Sequence, residues 1–200
     1  LLELAQKLSA NINYLKRSVL LVGFDAEEKG LLGSKHFIQS SPINLNNVIS
    51  MINMDMIGRM SDSTYTVGGV GTSPSFKYLL DSLKQGRLFN LTMNSPGFGP
   101  SDHAPFYSND IPVLFFFSGF HDDYHTPNDT WQKINLRGEK HILDFIYDLV
   151  FYLSRAKERP VFQESGPKKN QMNEIRNFKV TFGIMPSYGS AKVGLEVSSI

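Results

Sequence analysis

Three strand-sized runs dense in apolar residues limit what this chain can fold into. "RSVLLVGF" and "IPVLFFFSG" hold continuous apolar stretches, and "NVISMINMDM" is broken only by Ser50, Asn53 and Asp55. A strand with one solvated face alternates; a continuous run suits a strand buried on both faces, as inside a parallel sheet covered by helices. A shorter strand is predicted at "STYTVGG". The stretches between carry helical spacing. Leu1, Leu4, Ala5 and Leu8 recur on one face, and the pattern ends near Asn11. "GLLGSKHFIQS" reads as a helix stopped by Pro42, and "SPSFKYLLDSLKQG" as one with a Ser start and a Gly stop. "NLRGEKHILDFIYDLVFYLSRAKE" is a long amphipathic helix with Ile142, Phe145, Ile146, Leu149, Val150 and Leu153 on one face. Alternating strands and helices predict an α/β fold, a mostly parallel central sheet with helices on both faces.

The α/β domain is expected to span residues 1–158. "PVFQESGPKKNQMN", polar with two prolines, marks a linker over 159–176. A short β-rich segment follows over 177–200, where "FKVTFGIMPSY" and "GLEVSSI" read as strands. The opening "LLELAQKL" lacks methionine and is already in helical register, so the fold is expected to be incomplete at its N-terminus. No apolar run approaches the ~18 residues of a membrane span. With 20 basic and 19 acidic residues the charge is balanced, which argues against a nucleic-acid partner. There is no cysteine, so any bound metal must take His, Asp and Glu ligands.

Ionisable residues collect beyond the carboxyl ends of the predicted strands, where open α/β sheets carry their ligand chemistry. Asp25, Glu27 and Glu28 follow the first strand, Asp55 closes "MINMD", and His121, Asp122, Asp123 and His125 follow "VLFFFSGF". Converging carboxylates repel one another unless a divalent cation neutralises them. With oxygen and imidazole donors only, zinc leads, with manganese or cobalt as alternatives. Outside a helix, neighbouring side chains diverge, so one glutamate of a pair can bind metal while the other faces a metal-bound water as general base. Each residue alone has an ordinary reading: a solvated glutamate pair, a turn-capping Asp55, a loop His125, and cap chemistry at Asp122, Asp123 and Asp129. The aromatic "LFFFSGF" reads as sheet core before specificity pocket.

In order along the chain, "FDAEEKGLLGSKHF", "NMDMIG", "SDHAPF" and "YHTPNDT" resemble the zinc aminopeptidases of metallopeptidase family twenty-eight, relatives of bacterial leucyl aminopeptidase. The resemblance implies a catalytic domain binding two zinc ions and hydrolysing the N-terminal peptide bond of peptides with a free N-terminus. By that resemblance Glu27 matches the general base. Glu28 and His125 match ligands of one zinc, and Asp55 a ligand of the other. Asp102, His103 and Asp129 stand behind the ligands or on the substrate side, and Tyr124 polarises the scissile carbonyl. The family pattern also needs a histidine and a metal-bridging aspartate before the glutamate pair, and nothing before Asp25 is either. The 200 residues are thus expected to hold three of five ligands, to bind metal weakly and to be inactive alone.

The tail resembles the start of a PDZ-like domain, which takes peptides as an added strand. Glutaminyl cyclase chemistry on a single zinc uses a similar set of motifs and is the alternative activity; a non-catalytic peptide-binding protein on the same scaffold is the third reading. The family's habits and the PDZ-like tail favour export. Oligomeric state is not legible.

Overall fold

The computed structural model describes residues 1–168 and, beyond them, only the short strands β5 (Met185–Pro186) and β6 (Val197–Ser199), which pair antiparallel. The rest of the tail, and with it the PDZ-like segment, lies outside the described residues.

The sheet has four strands: β1 (Met51–Asp55), β2 (Thr64–Gly68), β3 (Asn90–Met93) and β4 (Val113–Phe117), in the order β1-β4-β2-β3. β1 runs parallel to β4, β2 runs parallel to β3, and β2 is antiparallel to β4, so the sheet is mixed and mostly parallel. Among the described residues five α-helices flank it: α1 (Leu2–Ala10), α2 (Leu32–Gln39), α3 (Pro74–Lys84), α4 (His103–Ser108) and α5 (Leu136–Arg155).

Alternation along β4 explains the two layers. Leu114 and Phe116 are fully buried on one face with Phe76 and Leu80 of α3, Leu4 and Leu8 of α1, and Ile142, Phe145 and Ile146 of α5. Val113 turns the other way, joining Phe106 and Tyr107 of α4, with Phe37 and Ile38 of α2 packed against them. α5 starts at Asn135, whose side chain accepts from the Gly138 amide at 2.9 Å, an N-cap satisfying one orphan donor. Among the described residues no helix is long and apolar enough to cross a membrane.

The first predicted strand is corrected. Residues 18–24 carry no ladder pairing among the described residues. Val19 and Leu21 pack on the main core and Phe24 on the smaller one, while Leu20 is 55% exposed. An apolar run reports that a segment is drawn to a core; it cannot report whether a neighbouring backbone meets its N–H and C=O groups. Two elements had no sequence signal: β3 is four residues long and at the sheet edge, and α4 begins inside the "SDHAPF" motif and is only six residues long.

Residues 160–168, inside the expected linker, are bound to the domain. The Gln163 amide donates to the Thr72 carbonyl and the Gly97 amide to that of Ser165, both at 2.8 Å. The buried Tyr107 hydroxyl donates to the Gly166 carbonyl at 2.7 Å and accepts from the Ser165 amide at 2.9 Å.

Candidate active site

The glutamate pair sits in a tight turn leading into α2. The Ala26 amide donates to Asp25 Oδ1 at 2.8 Å, so Asp25 is occupied locally. The carbonyl of Glu27 accepts from Gly30 and Leu31 at 2.9 and 2.8 Å, and that of Asp25 from Gly33 at 3.0 Å. Helix and turn approach so closely that a Cβ on Gly33 would lie 2.6 Å from the Asp25 carbonyl oxygen. Ala26, before the pair, holds φ +54°; Met56, after Asp55, holds +50°, and His125 itself +55°. Left-handed backbone at non-glycine residues persists where the surroundings over-determine it, and it gathers at functional sites.

These turns bring together Glu27, Glu28, Asp55, Asp102 and His125. Glu27 is the focus: burial first, then the charges of Asp55, Asp102 and Glu28, push its carboxyl above the usual range, while His125 opposes them. Glu28 Oε1 lies 3.2 Å from His125 Nε2, and both side chains are open to solvent. The Tyr124 ring stacks on the His125 imidazole at 3.8 Å between centroids.

Asp55 ends β1. Its Oδ2 accepts from Ser101 Oγ at 2.9 Å, and that hydroxyl accepts from Asn53 Nδ2 at 2.8 Å, so Asn53 and Ser101 fix the carboxylate in series. The same Asn53 nitrogen lies 3.4 Å from His103 Nδ1. His103 is buried, stacks on Phe115 with centroids 4.5 Å apart, and is lowered to about 4 by burial, hence neutral. Asp102 is also buried, and its carboxyl is raised by that burial and by Asp55, against a hydrogen bond from Ser34; its Oδ1 has no hydrogen-bond partner.

Asp129 stands apart from this group. It pairs with Arg59, which also donates to Asp123 Oδ2 at 2.7 Å. Asp123, grouped with His125 by its position after the strand, is taken up by Lys133 and Arg59, whose hydrogen bonds lower its carboxyl. Sequence reasoning missed Arg59, Ser101 and Asn53; only their adjacency to Asp55 and Asp102 marked them. The aromatic run divides as a strand must. Leu114 and Phe116 are core, while Phe115 and Phe117 stack at 5.8 Å and continue through Phe120 to Tyr124.

The donor chemistry fits a divalent ion at Glu28 and His125. Two ligands ~2.0–2.1 Å from a tetrahedral zinc stand roughly 3.3 Å apart, close to the 3.2 Å between Oε1 and Nε2. The same separation serves an ion pair when His125 is protonated. Among the described residues no group of three or more His, Asp or Glu side chains is close enough to hold an ion by itself, so the donor set here is partial.

The profile of Peptidase family M28 matches residues 1–150. Leupeptin-inactivating enzyme 1 of Streptomyces exfoliatus is 34% identical over 95 residues, covering 47% of this chain and 21% of that protein. Aminopeptidase YwaD of Bacillus subtilis is 25% identical over 154 residues, covering 72% and 34%. Among solved structures, an aminopeptidase from Aneurinibacillus sp. strain AM-1 superposes with TM-score 0.56 at 27% identity, over 74% of this chain and 36% of its own. The chain therefore spans about a fifth to a third of the length of these curated relatives.

Proposed function

The chain belongs to peptidase family M28, and from that membership we propose that the protein is a zinc-dependent aminopeptidase acting on peptides with a free N-terminus. The observation that carries this reading is the setting of Glu27, a partly buried carboxylate crowded by Asp55, Asp102 and Glu28 and faced by His125. A carboxylate whose pKa is raised by burial and like charge is a stronger proton acceptor than an exposed one, as suits a general base. Glu27 takes a proton from the attacking water at its carboxylate and returns it to the leaving amine. Glu28 and His125 would hold one zinc, and Asp55, oriented by Ser101, would be a ligand of the other. Bound zinc supplies Lewis acidity for the carbonyl and lowers the pKa of water. Tyr124, stacked on His125, is assigned to polarising the scissile carbonyl. The surrounding carboxylates favour a substrate ammonium group. Asp102 and His103 are assigned to shaping the floor behind Asp55.

The test is made on the full-length protein: zinc content together with hydrolysis of aminoacyl chromogenic substrates. About two zinc ions per chain with release of N-terminal residues is the expected result. One zinc with cyclisation of N-terminal glutamine reassigns the site to aminoacyl transfer. Neither metal nor turnover leaves a peptide-binding scaffold.

A further inference from the structure

Arg59 connects the two parts of the chain that carry Asp55 and His125. It stands four residues after Asp55, in the connection from β1 to β2. That connection is fixed on both sides. Ser118, at the end of β4, donates its hydroxyl to the Met56 carbonyl. The Asn135 amide donates to the Gly58 carbonyl at 2.8 Å, and Asn135 Nδ2 to that of Met60 at 3.0 Å. From this base the guanidinium reaches across to the loop between β4 and α5. Nη2 donates to Asp123 Oδ2 at 2.7 Å and Nη1 donates to Asp129 Oδ1. Asp123 lies two residues before His125 and Asp129 four after it.

We propose that Arg59 is a positioning residue that holds the 121–130 loop, and with it the His125 imidazole, against Glu28. The physical case has three parts. His125 holds a left-handed φ of +55°, an uncommon conformation for a non-glycine residue that fixed flanks help to sustain. The loop's own bonds make it one unit: Thr126 donates through its amide and its hydroxyl to the Asp123 carbonyl at 3.0 and 2.8 Å, and the Asp129 amide to that of Thr126 at 3.1 Å. Finally, Asp123 and Asp129 are like charges that would push apart without a shared cation. Lys133 meets only Asp123, at 2.6 Å, and His121 Nε2 lies 3.6 Å from Asp129, so Arg59 alone joins the two among the described residues. A planar guanidinium serves two carboxylates at once, which an ammonium does poorly. The consequence for zinc rests on the aminopeptidase reading; the consequence for the loop does not.

The experiment compares full-length protein with Arg59→Ala, Arg59→Lys and Arg87→Ala, the last removing an ion pair to Asp148 on α5 as a control. Hydrogen exchange in the metal-free proteins is read by mass spectrometry, and zinc affinity by chelator competition. In Arg59→Ala, exchange over 119–130 rises about tenfold or more while β1 and β4 keep their protection. Zinc affinity at one of two sites falls by about 10- to 100-fold, as for other residues that orient a metal ligand. Arg59→Lys lies between parent and alanine on both readouts, and it carries the test if the alanine variant does not fold. Exchange in the loop no faster than in Arg87→Ala overturns the proposal. So does an equal loss of zinc at both sites in step with the fall in Tm. Absence of zinc from the parent sinks the aminopeptidase reading, and the exchange measurement still decides whether Arg59 holds the loop.

Discussion

Gly33→Ala tests whether the turn carrying the glutamate pair positions chemistry. The alanine Cβ would stand 2.6 Å from the Asp25 carbonyl oxygen and 2.8 Å from its amide nitrogen, whereas ordinary contact begins near 3.4 Å. Both atoms are backbone, so no rotamer change relieves them, and α2 and the turn must separate by roughly 0.8 Å to restore ordinary contact. That motion stretches the hydrogen bond from Gly33 to Asp25, now 3.0 Å, and carries Glu27 and Glu28 with it. Overpacking of this kind costs about 2 kcal/mol, which for a domain of this size lowers Tm by roughly 4–8 °C. Misplacing a reacting group by ~1 Å costs on the order of 100-fold in rate, so on the aminopeptidase reading kcat/KM of the full-length protein should drop by tens of fold. Gly23→Ala is the control, because a Cβ there meets nothing within 4 Å. Scanning calorimetry and aminoacyl-substrate hydrolysis on both variants give the comparison. Parent-like Tm and kcat/KM in Gly33→Ala would refute the close approach. Lost stability with full kcat/KM would refute the positioning role of the turn.

Glu27→Gln should lower kcat by about 10²–10⁴-fold, the usual contribution of a general base, while zinc stays bound; zinc lost with activity would reverse the roles given to the pair. The same substitution should stabilise the metal-free protein at pH 7. Burial and then the neighbouring carboxylates hold the folded-state pKa of Glu27 above the ordinary carboxylate range, so its charged form penalises folding above that range and not below it; a Tm advantage that persists below pH 4 would contradict this. His125→Ala removes the Nε2 donor beside Glu28, and zinc in full-length protein should fall from about two toward about one per chain, read by plasma emission. Tyr107→Phe strips the hydroxyl that bridges Ser165 and Gly166. It should cost about 1–3 kcal/mol and open 160–168 to protease; unchanged cleavage there would show that the segment is held by other contacts.

Much of the framework was legible. Residues 2–10, 32–39, 74–84 and 136–155 are helical where the spacing placed helices, because a helix declares its buried face every third or fourth residue. The strands at Met51–Asp55, Thr64–Gly68 and Val113–Phe117 also stand where strands were predicted. Their carboxyl ends brought Asp55 and His125 into one group with Glu27 and Glu28, as strand-end chemistry in an α/β sheet predicts.

Partnership was another matter. Nothing local in "RSVLLVGF" tells that it carries no ladder here, nor in "STYTVGG" that it runs antiparallel to β4, since pairing is a property of two segments. Asp123 and Asp129 had the same residue chemistry as a metal-binding cluster. Arg59, 64 and 70 residues away in sequence, claims both. The order, type and reactive ends of the elements follow from residue spacing, because burial is periodic along a helix or strand. Which charge meets which follows only from the closed tertiary structure, because Coulomb attraction and hydrogen bonding act across space and leave no period in the chain.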